Sequence, residues 1–174
     1  SAFELEATLK AKGKTDMLET LEAMTPGAGA CSFVRQQAPL GLGHAVACAR
    51  DVVGDEPFAV MLPDMIMVSQ PPCLKAMAEA YGQTGGNIIS VEAVPPEDVS
   101  KYGIVDVGET SGPGMKRLNA MVEKPAVEDA PSNLMISGRY ILQPRIFELL
   151  GDQGPGAGGE IQLTDAMVRL MDED

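Results

Sequence analysis

Phe58-Ala-Val-Met-Leu-Pro-Asp-Met-Ile-Met67 is an apolar run interrupted by a single carboxylate. The residues from Phe58 to Leu62 follow the turn-forming Gly54-Asp-Glu-Pro57 and stop at Pro63, which cannot donate to a central ladder. The run predicts a short buried strand. Asp64 then falls just past the strand's carboxyl end, the edge of an open α/β sheet where ligands bind. A carboxylate set among Leu62, Pro63, Met65 and Ile66 is expected to be partly desolvated and to need a partner. A hard divalent cation is one candidate, and an N-cap to a following turn is the simpler one.

Around this stretch the chain alternates strand and helix signals. Leu74, Met77, Ala78 and Tyr81 mark a helix, and Gly85-Gly-Asn87 leads into Ile88-Ile-Ser-Val-Glu-Ala-Val94, a second apolar strand. A strand-helix-strand unit of this kind builds parallel sheets. Tyr102 to Val107 and Leu118 to Val122 predict a hairpin around Ser111-Gly-Pro-Gly114. A further strand lies between Asn133 and Leu142, with Gly138 inside it, a sign of a bulge or of close backbone approach by a ligand. Pro144 opens a short helix, and Glu160 to Met171 predicts an amphipathic helix with Leu163, Met167, Leu170 and Met171 inward.

Upstream, residues 1 to 24 carry helical spacing on either side of Gly13, giving two helices or one broken one, and Cys31 to Arg35 is a candidate strand. Gln36-Gln-Ala-Pro-Leu-Gly-Leu-Gly-His44 is a loop that delivers the chain to a helix whose Leu42, Val46, Ala49 and Val53 share one face. Its Gly41 and Gly43 lack the third glycine of a dinucleotide fingerprint, and no Gly-Lys-Ser/Thr follows. His44, the one histidine, is read as a capping or packing residue, so a catalytic triad and a His-based metal site lack their parts. Glu123-Lys-Pro125 puts an anion and a cation at a strand end, on opposite faces and so not paired with each other. Either the pair is a solvated edge, or the carboxylate meets sugar hydroxyls and the ammonium a phosphate.

Composition narrows the function classes. The 174 residues are 45% hydrophobic, enough for one domain with a core and too apolar for disorder. The net charge of −12 argues against broad attraction to nucleic acid or anionic membrane. The 3 Cys have no metal-ligand spacing and suit reduced thiols in the cytoplasm. The chain opens inside an amphipathic pattern and closes on Asp172-Glu-Asp174, three carboxylates at a helix C-terminus where the dipole disfavours them, and so reads as a fragment.

In order, Arg35-Gln36, Gly41-Leu-Gly-His-Ala45, Gly54-Asp-Glu-Pro57, Leu62-Pro-Asp64, Lys101-Tyr-Gly-Ile-Val105, Val122-Glu-Lys-Pro125, Ala130-Pro-Ser-Asn133, Gly138-Arg-Tyr140 and Gly156-Ala-Gly-Gly-Glu-Ile-Gln-Leu-Thr-Asp165 resemble the bacterial UTP–glucose-1-phosphate uridylyltransferases, or UDP-glucose pyrophosphorylases, of the sugar nucleotidyltransferase superfamily. The resemblance implies one α/β domain over 1–174, a Rossmann-like three-layer α/β/α sandwich with a mixed, mostly parallel sheet. It implies the reaction of UTP with glucose 1-phosphate to UDP-glucose and pyrophosphate, with Mg2+, no nucleic-acid or membrane partner, and a homo-oligomer at full length. By position, Gln36 matches the residue that reads the uracil edge, Gly41 the loop closing on the base, and Asp64 the Mg2+ ligand. Gly103 matches a backbone contact to the sugar, Glu123 the carboxylate on sugar hydroxyls, and Lys124 the cation on the sugar phosphate. Asp64 and Lys124 are the catalytic pair and are expected to converge on one cleft. The family's glycine-rich phosphate loop and later C-terminal segment are absent, Leu40 and Met65 stand where relatives often carry a lysine and an acid, and the 174 residues alone are expected to act poorly. Another base or sugar, or a non-catalytic homologue that binds nucleotide sugar, is the competing function.

Overall fold

The computed structural model describes residues 2–173. In chain order its elements are α1 (Phe3–Ala11), α2 (Thr15–Met24), α3 (Leu42–Ala47), α4 (Arg50–Val53), β1 (Phe58–Met61), α5 (Cys73–Thr84), β2 (Ile88–Ala93), β3 (Gly103–Gly112), β4 (Met115–Glu123), β5 (Leu134–Leu142), α6 (Ile146–Gly151) and α7 (Leu163–Met171). Two compact units result, the first ending at Arg35 and the second beginning at Gln36.

In the first unit α1 and α2 are separate helices, joined by a turn in which Gly13 has φ +62. Leu9 is buried, and Lys10 lies 3.8 Å from Glu22 across the pair. The strand expected over Cys31 to Arg35 does not form. A strand needs a neighbour for its backbone groups, and among the described residues none runs beside it.

The second unit holds the sheet, and here the expectation of a mostly parallel sheet is overturned. Every strand pairing is antiparallel: β1 with β5, β2 with β5, β3 with β4, and β3 with β5. Because β1 and β2 are both antiparallel to β5, they do run in the same direction, as the strand-helix-strand pattern implied. They are not neighbours. β5, which follows both in the chain, pairs with each of them and lies between them. Periodicity marks where strands are, and the partner of each is chosen by contacts distant in sequence.

β1 is also less buried than its apolar run predicts. Half-buried Phe58 and Val60 alternate with exposed Ala59 and Met61. Among the described residues β1 pairs with β5 alone; one of its faces packs inward, where the Phe58 and Phe147 ring centroids lie 4.8 Å apart with rings nearly parallel, and the other is left uncovered. The helix expected through Leu42 and Val53 is broken at Cys48 and Ala49 into α3 and α4.

Of the two readings of Gly138, the bulge is the one that forms, and the atoms packed close to it are the chain's own Leu62 and Met65. Ile89 faces Tyr140 and Val91 faces Ile136, so Ser90 alone spans Ser137 to Arg139. In this bulge Gly138 has φ +68, and a Cβ there would stand 3.2 Å from Leu62 Cβ and from Met65 Cγ. The Ser90 hydroxyl fills the gap, bonding Ser137 Oγ at 2.8 Å and donating to the Arg139 carbonyl at 3.2 Å. A bulge re-aims the residue that follows it. Arg139 accordingly turns its guanidinium onto the carbonyls of Leu62, at 2.7 Å, and of Met65.

α6 and α7 cover the sheet, burying Leu142, Ile146, Leu163 and Ala166 to 1% exposure or less. At the end of α7, Glu173 accepts two hydrogen bonds from Arg145, at 2.8 and 2.7 Å, and these hold its carboxyl below the usual range. The bonds offset the unfavourable dipole at that terminus. Asp174, the last of the three carboxylates expected there, lies outside the described residues. Among the described residues no helix is long and apolar enough to cross a membrane.

Candidate functional site

β3 begins and β4 ends at the same corner of the sheet, where Gly103 faces Glu123. The Glu123 side chain is 16% exposed, and a carboxylate so covered needs partners. Thr164, on the first turn of α7, donates its hydroxyl to Glu123 Oε2 at 2.8 Å. Gly103 supplies room: a Cβ there would meet Glu123 Oε2 at 3.0 Å, Ile136 Cδ1 at 3.1 Å and Thr164 Oγ1 at 3.4 Å. A bare backbone, a held carboxylate and a hydroxyl thus share one small space.

Lys124 is not on the opposite face from Glu123, contrary to the sequence expectation. Among the described residues it is the non-glycine residue with positive φ, at +47, and this left-handed turn ends β4 and brings Nζ to 3.9 Å from Glu123 Oε1. Two-fold alternation holds only for extended backbone, and the strand has ended. Lys124 N–H donates to the Tyr102 carbonyl at 3.0 Å, which pins the turn. The ammonium itself stays more than half exposed, 55% for the side chain, and the left-handed conformation costs about 1 kcal/mol in a non-glycine residue.

Tyr140 of β5 lies beneath this corner at 5% exposure. Burial first, and then the nearby Glu123 charge, push its hydroxyl up to about 12. Because the raised value favours the neutral form in the folded state, the associated stability is complete below the ordinary value near 10 and is lost as pH rises through 12. Between those limits the chain should lose on the order of 2 kcal/mol that a Tyr140→Phe variant keeps, at about 1.4 kcal/mol per unit. Urea midpoints of both proteins across that range measure the difference; parallel curves would mean that Tyr140 ionises freely.

A second cluster surrounds the loop before α3. Gln36 Nε2 lies 3.0 Å from the Gly41 carbonyl and 2.9 Å from His44 Nδ1. Gly41 has φ +99, and a Cβ on it would come within 2.8 Å of Glu160 Cβ and 2.9 Å of the Ile161 carbonyl. Ile161 straps the loop, its N–H donating to the Leu40 carbonyl at 2.7 Å and its carbonyl accepting from Gly43 N–H at 2.8 Å. Residues 160 to 164 therefore touch both clusters, holding the Gly41 loop at one end and Glu123 at the other.

Asp64 joins neither cluster by a direct contact. It is exposed in the turn after β1, and among the described residues it forms no ion pair or side-chain hydrogen bond, so the expected desolvation is absent. Nor does it cap a helix. The turn is clamped by Arg139, and Met65 beside it packs on the group of Val99, Ile104 and Met135, which places Asp64 along the same border of β5 as the start of β3. Among the described residues no three acidic, His or Cys side chains gather to hold a metal. One free, exposed carboxylate fits Mg2+ of the kind that is bound by one or two carboxylates and completed by phosphates and water. A hollow of about 450 Å³ between the β4 strand and α7, lined by Arg117, Asn119, Met121 and Asp172 among others, contains none of these residues.

Of the residues singled out in the sequence, the structure brings together Gly103, Glu123 and Lys124, and separately Gln36 and Gly41. Thr164 and Tyr140 lie within the motifs, and no role for either follows from the sequence. A hydroxyl between inward-facing Leu163 and Met167 was the available signal for Thr164, since a buried hydroxyl needs a partner. His44 is expected to cap or pack, and in the structure its Nδ1 lies 2.9 Å from Gln36 Nε2, a contact outside that expectation.

Residues 8–174 match the sequence model of the nucleotidyl transferase family. The chain is 48% identical over 164 residues to UTP–glucose-1-phosphate uridylyltransferase YngB of Bacillus subtilis (strain 168), covering 94% of this chain and 54% of that protein. It superimposes with TM-score 0.80 and 44% identity on the UTP-bound UGPase from Acinetobacter baumannii, covering 99% of this chain and 60% of that one. A UDP-glucose pyrophosphorylase complexed with UDP-glucose gives TM-score 0.77 and 45% identity, over 82% of this chain and 55% of that one. The chain spans a little over half the length of the curated relatives it matches.

Proposed function

Since this chain belongs to the nucleotidyl transferase family, we propose that it serves uridylyl transfer from UTP to glucose 1-phosphate, giving UDP-glucose and pyrophosphate. The observation that carries the reading is the corner at Glu123. A carboxylate is held by Thr164 on one oxygen, faced by the bare backbone of Gly103, and followed by a lysine that an unfavourable φ turns back beside it. That suits a sugar phosphate: Glu123 accepts from ring hydroxyls, Gly103 lets the ring lie close, and Lys124 meets the phosphate.

The chemistry needs little else. A phosphate oxygen of glucose 1-phosphate is already anionic and attacks the α-phosphorus of UTP. One P–O bond forms, the bond from that phosphorus to the bridging oxygen breaks, and the electron pair leaves with pyrophosphate. No proton must be removed, so no histidine base or covalent nucleophile is required, and rate comes from alignment and charge neutralisation. Lys124 supplies positive charge where negative charge gathers. Asp64 would hold Mg2+, which when bound neutralises charge on the nucleotide phosphates. Gln36 and the Gly41 loop take the base. In this reading the antiparallel sheet is part of a three-layer, Rossmann-like whole, working in the cytoplasm where thiols stay reduced, as a homo-oligomer at full length.

Pyrophosphate release from UTP and glucose 1-phosphate with Mg2+ is the test, run on this chain and on a full-length protein carrying it. Release that requires both substrates supports uridylyl transfer. If the full-length protein binds UDP-glucose yet releases none, it is a binding homologue; if another sugar phosphate is strongly preferred, the assignment of glucose is wrong.

A further inference from the structure

The Gln36 side chain is fixed by two partners, and their chemistry decides which way its amide faces. The Gly41 carbonyl, 3.0 Å away, can only accept, so the atom beside it is the nitrogen and not the oxygen. Gly41 has φ +99, a conformation that favours glycine, and in that backbone its carbonyl lies within reach of Gln36. The second amide proton then points to His44 Nδ1 at 2.9 Å, which must accept and therefore carries no proton. Neutral His44 has its proton on Nε2. Cys48 Sγ, 3.9 Å from the same ring nitrogen, is too distant and too weak a donor to displace the amide. Both amide protons are thus spent within the protein, while among the described residues the Gln36 carbonyl oxygen has no partner.

From this we infer that His44 is a specificity-determining positioning residue: its bare Nδ1 holds the Gln36 amide so that only an acceptor is left for a nucleotide base, which selects bases with an N–H at the pairing edge of the ring. Uracil offers that N–H at N3; cytosine offers a bare ring nitrogen, which would face the Gln36 oxygen with no proton between them. The inference rests on the reading of Gln36 as the base contact. An acceptor confronting an acceptor leaves two buried polar atoms unsatisfied, and sites of this kind discriminate strongly. Without His44, nothing holds the second proton, the amide can turn its nitrogen outward, and a bare ring nitrogen becomes acceptable.

His44 is the one histidine of the chain, so its ring nitrogens are unambiguous in a nitrogen-15 spectrum. The unmodified chain should show the Nε2–H form; the Nδ1–H form would overturn the inference, because the Gln36 oxygen would then have to face the ring. Titrations of the chain with UTP and with CTP, to millimolar nucleotide, supply the second measurement. UTP should be preferred by about 100-fold, and His44→Leu should narrow the preference by about tenfold. His44→Asn, which keeps an acceptor near the Nδ1 position, should restore most of it, an outcome that a purely structural role would not produce. If Gln36→Leu abolishes the preference and His44→Leu leaves it intact, the inference fails and the reading of Gln36 stands. If Gln36→Leu leaves the preference intact, or neither nucleotide binds, the reading of Gln36 fails and the inference falls with it.

Discussion

Replacing Lys124 with alanine should lower turnover by about 100- to 1,000-fold, the range seen when one preorganised charge-stabilising group is removed from an active site. Affinity for UDP-glucose should fall far less, because the sugar contacts to Glu123 and Gly103 remain. Stability should barely change. The ion pair with Glu123 is long, at 3.9 Å, and its lysine is more than half exposed, and such pairs contribute well under 1 kcal/mol. Lys124→Gly sharpens the test. It removes the same ammonium and relieves the left-handed strain at φ +47, so it should be about 1 kcal/mol more stable than the alanine variant while equally slow. A residue kept in a strained conformation for its side chain loses function and gains stability together. Steady-state rates of the full-length protein and urea midpoints of this chain decide the matter; unchanged turnover in both variants would reduce Lys124 to a solvated surface cation.

The second large effect is expected at Gly43, by contrast with Gly82. Both lie inside helices, α3 and α5, where alanine is the better helix former by about 1 kcal/mol. Around Gly82 an added Cβ meets nothing within 4 Å, so Gly82→Ala should stabilise the chain by about 0.5–1 kcal/mol. At Gly43 the same atom would stand 2.7 Å from the Ile161 carbonyl oxygen and 2.8 Å from Leu150 Cδ2. The leucine can shift, but the carbonyl belongs to the strap that holds the Gly41 loop. Overpacking of this kind costs about 1–3 kcal/mol, which outweighs the propensity gain. Gly43→Ala should therefore lower the urea midpoint, and it should weaken UTP binding by displacing residues 40 to 44 from Ile161. A stable Gly43→Ala variant with normal binding would mean that the strap moves freely and does not position the loop.

Much of the second unit is legible from local pattern. The hairpin from Gly103 to Glu123, the helices at Cys73–Thr84 and Leu163–Met171, and the irregularity at Gly138 each follow from residue spacing within a dozen positions. Local pattern fails wherever the outcome depends on a neighbour remote in the chain. The apolar run at Phe58 looks fully buried, yet only one face of β1 is covered and its alternate residues face outward. Cys31 to Arg35 has strand composition and no neighbour to pair with. Asp64 looks desolvated by its sequence neighbours, although the turn that carries it points the carboxylate to solvent.

What the amino-acid order determined by itself is where most strands and helices of the second unit fall, with Asp64 just past β1 and Gly103, Glu123 and Lys124 at the ends of β3 and β4, whereas Gln36 is marked by the family resemblance alone. The element positions follow from side-chain periodicity and from where glycine and proline interrupt it, both local quantities. Tertiary structure alone decided that β5 enters between β1 and β2 and makes the sheet antiparallel, that Lys124 turns back beside Glu123, and that Thr164 and His44 hold the two polar groups in place. Each is a choice of partner across many residues. Strand composition is nearly indifferent to such choices, and they are settled by which arrangement buries the shared core and leaves the fewest polar groups unsatisfied.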